Sequence, residues 1–196
     1  AAARREPPGA QKLLRLGIVG QIGAWKGHDD LVDAMAILLR DGEPVHLRIF
    51  GAGNDAYVDS LKRNIERLQI GAHVEWRGFV RQQDDIYNGI DVCVMPSRFE
   101  EPFSTAALEA GAHARPVICT ARGGFGEIVQ DGVTGIVVPA QRPDALAEAI
   151  AGLARDRDLL RRMGEAARHR VAAEFSMAVF AARFIEALPL PSARAP

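Results

Sequence analysis

The chain has 196 residues, 48% hydrophobic and 25% charged, with a formal net charge of -1. That balance is ordinary for one globular domain with a large core, and the near-zero charge leaves no electrostatic footprint for nucleic acid or an acidic membrane surface. No apolar run reaches the ~18 residues of a membrane span, and no signal-peptide pattern opens the chain.

Ala1 to Lys12 is small, charged and Pro-containing, and reads as a disordered lead or an interdomain linker. The domain proper is expected over 13–188. Leu14 to Val19 is a first strand, followed by the glycine-rich stretch Gly20-Gln21-Ile22-Gly23-Ala24-Trp25-Lys26-Gly27. A helix over about Asp29 to Arg40 places Leu31, Ala34, Met35, Leu38 and Leu39 on one face. Val45 to Phe50 is a second strand ending in Gly51-Ala52-Gly53. A helix follows over about Ala56 to Leu68, with Val58, Leu61, Ile65 and Leu68 inward.

His73 to Arg77 alternates as a strand and leads into Gly78-Phe79-Val80, where Phe79 is expected in the core. A short helix near Asp84 to Asn88 precedes the apolar strand Asp91 to Met95. Pro116 to Thr120 and Gly135 to Val138 are further strands, with a short helix near Glu127 to Gln130 between them. From Arg142 onward the pattern is helical: Ala145 to Ala154, Asp158 to Ala173, then Met177 to Leu188 with Val179, Phe180, Phe184 and Ile185 inward. Arg161-Arg162 and Arg168-His169-Arg170 read as a solvated helix face, and 189–196 as a disordered tail. The fold class is α/β: a Rossmann-like, doubly wound parallel sheet of about six strands with extra C-terminal helices. Ligands in such sheets bind outside the carboxyl ends of the strands, where the glycine loops fall.

Cys93 and Cys119 both lie in expected buried strands, which points to a reducing cytosol rather than a disulfide framework. His28, His46, His73, His113 and His169 are scattered, and no zinc site is expected.

The organising stretch is Pro96-Ser97-Arg98-Phe99-Glu100-Glu101-Pro102-Phe103-Ser104-Thr105, followed by a helix whose run Ala106 to Ala110 contains Glu109. Pro96 ends the strand, and Pro102 keeps Glu101 extended. Ser104 and Thr105 offer capping hydroxyls at the helix start. Free amides at such a start, backed by the helix dipole, bind anions, and phosphate above all. With Glu101 and Glu109 on either side as acceptors, the arrangement suits a ligand carrying both phosphates and vicinal hydroxyls. A sugar nucleotide is such a ligand.

Glu101-x7-Glu109, followed by Ala110-Gly111, Pro116-Val117-Ile118, Gly123-Gly124 and Asp131-Gly132-Val133-Thr134-Gly135, resembles the family-4 retaining glycosyltransferases, and within them the C-terminal, donor-binding half. The likeness runs from about Leu14 to about Leu188. It implies a two-domain GT-B enzyme of polysaccharide or glycolipid biosynthesis, whose preceding acceptor half is missing here. Either the chain is an excised fragment or a separate polypeptide completes it. It also implies that Lys26 binds the donor diphosphate, with Gln21 standing where the family carries a second cation, an arginine. Glu101 would contact the transferred sugar near its reacting carbon and act as the catalytic residue. Glu109 would accept from the ribose hydroxyls, and Val80 would meet the base through its backbone.

Phe103, Ser104 and Thr105 correspond to the family's Phe-Gly-Leu segment, whose amides bind phosphate and sugar; Ser104 replaces the glycine. Gly51 reads either as a ligand-approach glycine or as a turn glycine. The expected activity is transfer from a nucleoside diphosphate sugar, without metal or cofactor, by a chain inactive without its acceptor half. The alternative is a stand-alone sugar-nucleotide-binding module. A dinucleotide-dependent oxidoreductase fits poorly, because Gly17-x-x-Gly20-x-x-Gly23 lacks the required spacing. Neither a nucleic-acid partner nor a transmembrane segment is expected. The expected location is the cytoplasm, with any contact to the inner membrane face left to the missing domain.

Overall fold

A computed structural model describes residues 13–188; the expected lead at 1–12 and tail at 189–196 lie outside the described residues. Six strands, β1 (Leu14–Val19), β2 (Val45–Phe50), β3 (Val74–Gly78), β4 (Val92–Met95), β5 (Val117–Thr120) and β6 (Gly135–Val138), form one sheet in the order β3-β2-β1-β4-β5-β6. Every pairing is parallel. β1 and β4 are therefore neighbours, and the strand order reverses between them. This is the Rossmann-like, doubly wound arrangement.

Parallel strands leave both faces to be covered by helices, and the sequence alternation divides the core accordingly. Leu14, Leu16, Ile18, Val45, Leu47 and Ile49 belong to one cluster with α1 (His28–Arg40), α2 (Asp55–Arg67) and α6 (Pro143–Arg155). Cys93, Met95, Val117 and Cys119 belong to a second cluster on the other face, with α3 (Gln83–Tyr87), α4 (Thr105–Ala112) and α5 (Phe125–Ile128). α7 (Arg157–Glu174) packs along α4 and reaches α6. At the amino end of the sheet, Arg15 ties β1 to β4 through Asp91, by its backbone N–H at 2.9 Å and its guanidinium at 2.7 and 3.1 Å. Burial alone would raise the Asp91 pKa, but these hydrogen bonds outweigh it and hold the carboxyl below its ordinary value.

Three expectations need correction. In α8 (Met177–Ala187), Phe180, Phe184 and Ile185 are exposed rather than inward, and Val179 is only half-buried. Helical periodicity marks an apolar face but does not supply the element that covers it; here Phe180 and Phe184 stack on each other at 5.9 Å. Phe79, expected in the core, is 80% exposed because it follows the end of the edge strand β3. Arg170 is not solvated with its neighbours. Its guanidinium donates to the carbonyls of Glu127 and Ile128 at the end of α5, and pairs with Glu174 at 2.7 Å. Among boundaries, α5 starts two residues before its expected position, and His73 belongs to a short 3-10 turn ahead of β3.

The loops at the carboxyl edge meet closely. Gly27 has φ 72°, and a Cβ built there would lie 2.0 Å from the Pro96 carbonyl oxygen. Gly27→Ala should therefore strain the backbone and part the β1 and β4 loops, at a cost of about 2–4 kcal/mol. Urea unfolding should show a lower midpoint with unchanged m-value, and an unaltered midpoint would contradict this contact.

Candidate active site

The β1 loop, the β4 loop and the start of α4 enclose a pocket of about 150 Å³ at the strand-order reversal, lined in part by Gln21, Lys26, His28, Glu101, Ser104 and Thr105. Lys26 Nζ lies 2.8 Å from Glu101 Oε1 and 2.6 Å from Oε2. Ser97 Oγ donates to Glu101 Oε2 at 3.3 Å. The Glu101 backbone is held as well: its carbonyl accepts from the Gly124 N–H at 2.7 Å, and a Cβ on Gly123 would stand 2.2 Å from that carbonyl oxygen. Gly123-Gly124 thus lets the β5–α5 loop lie directly on the Glu101 loop.

Ser104 starts α4, accepting from the Ala107 N–H at 3.3 Å and donating to Met95 Sδ at 3.5 Å. The Thr105 and Ala106 amides have no acceptor among the described residues, and both residues line the pocket. Phe103 is half-exposed on the pocket rim and leans on Phe175.

Other expected site residues lie outside this pocket. Gly51 and Val80 line a neighbouring cavity of about 370 Å³, which shares Val19, Gly20 and Gln21 with the first. Glu109 lines neither cavity. Its Oε2 accepts from the Tyr87 hydroxyl at 2.9 Å. Among the described residues no three of His, Cys, Asp and Glu gather into a group able to hold a metal, and no helix is long and apolar enough to cross a membrane.

Three contributors escaped the sequence reading. Arg98 donates to both Asp30 oxygens at 2.8 Å, and its N–H donates to the Trp25 carbonyl at 2.8 Å, which clamps the β4 loop onto α1. Tyr87, at the end of α3, is the partner of Glu109. His28 is 2% exposed; its Nδ1 donates to the Gly23 carbonyl at 3.2 Å and its Nε2 has no partner. Burial pushes the His28 pKa down to about 4, so the ring is neutral at pH 7. Oppositely charged Asp29-Asp30 and Arg98 were visible in the sequence, but their separation gave no reason to pair them.

A doubly wound parallel sheet with its polar pocket at the strand-order reversal defines the class as a Rossmann-like α/β domain with a ligand-binding carboxyl edge. The family model for glycosyl transferases group 1 matches residues 2–170, and the chain belongs to that family. It is 36% identical over 177 residues to a D-inositol 3-phosphate glycosyltransferase of Streptomyces coelicolor, an alignment covering 85% of this chain and 38% of that protein. It is 33% identical over 201 residues to a GDP-mannose-dependent alpha-(1-6)-phosphatidylinositol monomannoside mannosyltransferase of Mycobacterium tuberculosis, covering 95% of this chain and 51% of that protein. The chain thus spans between about two-fifths and half the length of these curated relatives. The fold matches HepE of Anabaena in complex with UDP, with TM-score 0.83, 24% identity, and coverage of 88% of this chain and 48% of that one.

His28 makes stability depend on pH with a definite sign. Its folded pKa of about 4 lies below the ordinary 6.5, so its contribution is complete above pH 6.5 and is lost as pH falls through 4. Between pH 7 and pH 4.5 the loss should be about 2–3 kcal/mol. His28→Asn keeps a donor for Gly23 without a titrating ring. Urea unfolding at both pH values should show the wild type losing that much more than the variant; equal losses would refute the assignment.

Proposed function

We propose that the chain is the donor-binding half of a retaining glycosyltransferase, which takes a sugar from a nucleoside diphosphate and passes it to an acceptor held by a second domain. The observation that carries this reading is the pocket itself. It unites a lysine, two amides without acceptors and a carboxylate, all at the reversal of strand order. Lys26 and the Thr105 and Ala106 amides are suited to a diphosphate, and would stabilise the charge that grows on it as the glycosidic bond breaks. No divalent metal is needed for that neutralisation.

Glu101 is suited to the sugar. It is Lys26's counter-ion, so a diphosphate that draws Lys26 away leaves Glu101 to accept from sugar hydroxyls. The adjoining cavity at Gly51 and Val80 would take the base, with Gln21 between base and phosphates. Glu109 would accept from the ribose. HepE is described with UDP and UDP-glucose, and the mycobacterial relative is named as GDP-mannose-dependent, so uridine and guanosine nucleotides are the first ligands to try. Those relatives are about twice as long as this chain, which supports an acceptor half supplied from outside the present sequence. Alone, the domain should bind donor and turn over little.

Calorimetry with UDP, GDP and ADP at millimolar concentration should give heat with at least one, unchanged by EDTA. No binding by the folded protein, or binding restored only by magnesium or manganese, would overturn the reading or its metal-free part respectively. Glu109→Gln should weaken the bare diphosphate by about 1–2 kcal/mol. Glu101→Gln should not weaken it, and by releasing Lys26 should strengthen it by up to about 1 kcal/mol. In an enzyme completed with an acceptor half, the same Glu101→Gln should lower transfer by about an order of magnitude or more. If Glu101→Gln instead abolishes nucleotide binding while Glu109→Gln spares it, the two roles are reversed.

A further inference from the structure

Tyr87 is fully buried, with its ring among the largest enclosed side chains of the second core cluster. Phenylalanine would fill nearly the same space without burying a hydroxyl, and a buried hydroxyl is costly unless it is bonded. This one has two acceptors, Glu109 Oε2 at 2.9 Å and the Ala106 carbonyl at 3.2 Å. Both belong to the α4 segment whose start forms the pocket wall. Burial, and then the nearby acidic groups, raise the phenol's pKa far above 10, so the hydroxyl stays protonated and donates.

Tyr87 is itself held firmly. Its ring stacks on His113 at 5.0 Å and 28°, and its carbonyl accepts from Arg115 Nε at 2.8 Å. His113 in turn donates through Nδ1 to the Glu109 carbonyl at 2.8 Å and contacts Asp84 through Nε2 at 3.0 Å. Glu109 is therefore gripped at its backbone by His113 and at its carboxylate by Tyr87. Its Oε1 accepts no hydrogen bond from the described residues.

We propose that Tyr87 is the positioning residue for Glu109, holding the carboxylate in one rotamer by claiming Oε2 and leaving Oε1 as the open acceptor for a nucleotide's ribose hydroxyls. The inference rests on the reading of Glu109 as the ribose acceptor. Oε2 keeps a second lone pair, so a vicinal diol can still bridge both oxygens. A glutamate free to rotate would lose part of its bond to the diol in ordering itself, whereas a pre-oriented one does not. Tyr87 would thus set the discrimination between ribo- and deoxyribonucleotides without touching the ligand.

The test compares the affinity of the full chain for UDP and 2′-deoxy-UDP, and for GDP and 2′-deoxy-GDP. Tyr87→Phe removes one oxygen atom and should lower the ribo-to-deoxy ratio by about fivefold to tenfold. The 2′-deoxy forms keep the 3′-hydroxyl, so their affinity should fall by less than that of the ribo forms. On a Glu109→Gln background the same change should have no further effect on the ratio. A merely structural role would weaken ribo and deoxy forms alike and keep the ratio, and that result overturns the proposal.

If Tyr87→Phe fails to fold, 4-fluorophenylalanine at position 87 fills the hydroxyl's space without its proton and should give the same lowered ratio. By contrast, 4-aminophenylalanine restores a donor and should restore the ratio. Failure of the wild type to bind any of these nucleotides would defeat the donor-site reading and this inference with it. Wild-type binding with an unmoved ratio defeats the inference alone.

Discussion

The site depends on one bidentate pair, Arg98 on Asp30, both contacts at 2.8 Å, with the aspartate side chain only 7% exposed. Asp30 lies in the first turn of the helix after β1, and Arg98 in the loop after β4. The sheet makes these strands neighbours, but neighbouring strands leave their outgoing loops free to diverge. A buried carboxylate must find a partner, because removing its water without compensation costs several kcal/mol. The planar guanidinium fork meets that need in one geometry only. The clamp therefore sets the spacing of the two loops, and Lys26 and Glu101 meet as its consequence.

The meeting of Lys26 and Glu101 shapes what the pocket accepts. With both charges facing each other, the pair is electrostatically satisfied, and an entering anion must take Lys26 from Glu101. A simple phosphate would leave the carboxylate uncompensated. On the function proposed above, a ligand with phosphate at one end and hydroxyls at the other would compensate both, as a sugar nucleotide does. The unpaired amides at the start of α4 add attraction for the anion without a further charge to be neutralised.

The second core cluster supports this site from behind. Tyr87, His113 and Arg115 form a connected layer between α3, the end of α4 and the start of β5. The glutamate of α4 is thereby anchored on the protein side, and the hydrophobic packing of that face also orients a polar group. α8 stands apart from this economy, because its apolar face meets no second layer among the described residues.

Local pattern carried much of this protein. Strands β1, β2 and β6 begin and end where alternation and apolar runs place them, since the positions of a parallel strand that face the core must be apolar. The glycine loops, Lys26, and the Glu101-to-Glu109 spacing around a capped helix start were likewise legible, because each is a statement about residues close in sequence. What the sequence could not decide was partnership. Arg98 with Asp30 and Lys26 with Glu101 join residues 68 and 75 positions apart, and Tyr87 reaches Glu109 across 22. No periodicity links such positions; only the strand order brings them within bonding distance. The same cause explains the errors at Phe79, Arg170 and α8, since whether an apolar or charged side chain is covered depends on what packs above it. That is settled by tertiary contact, not by the chain's local pattern.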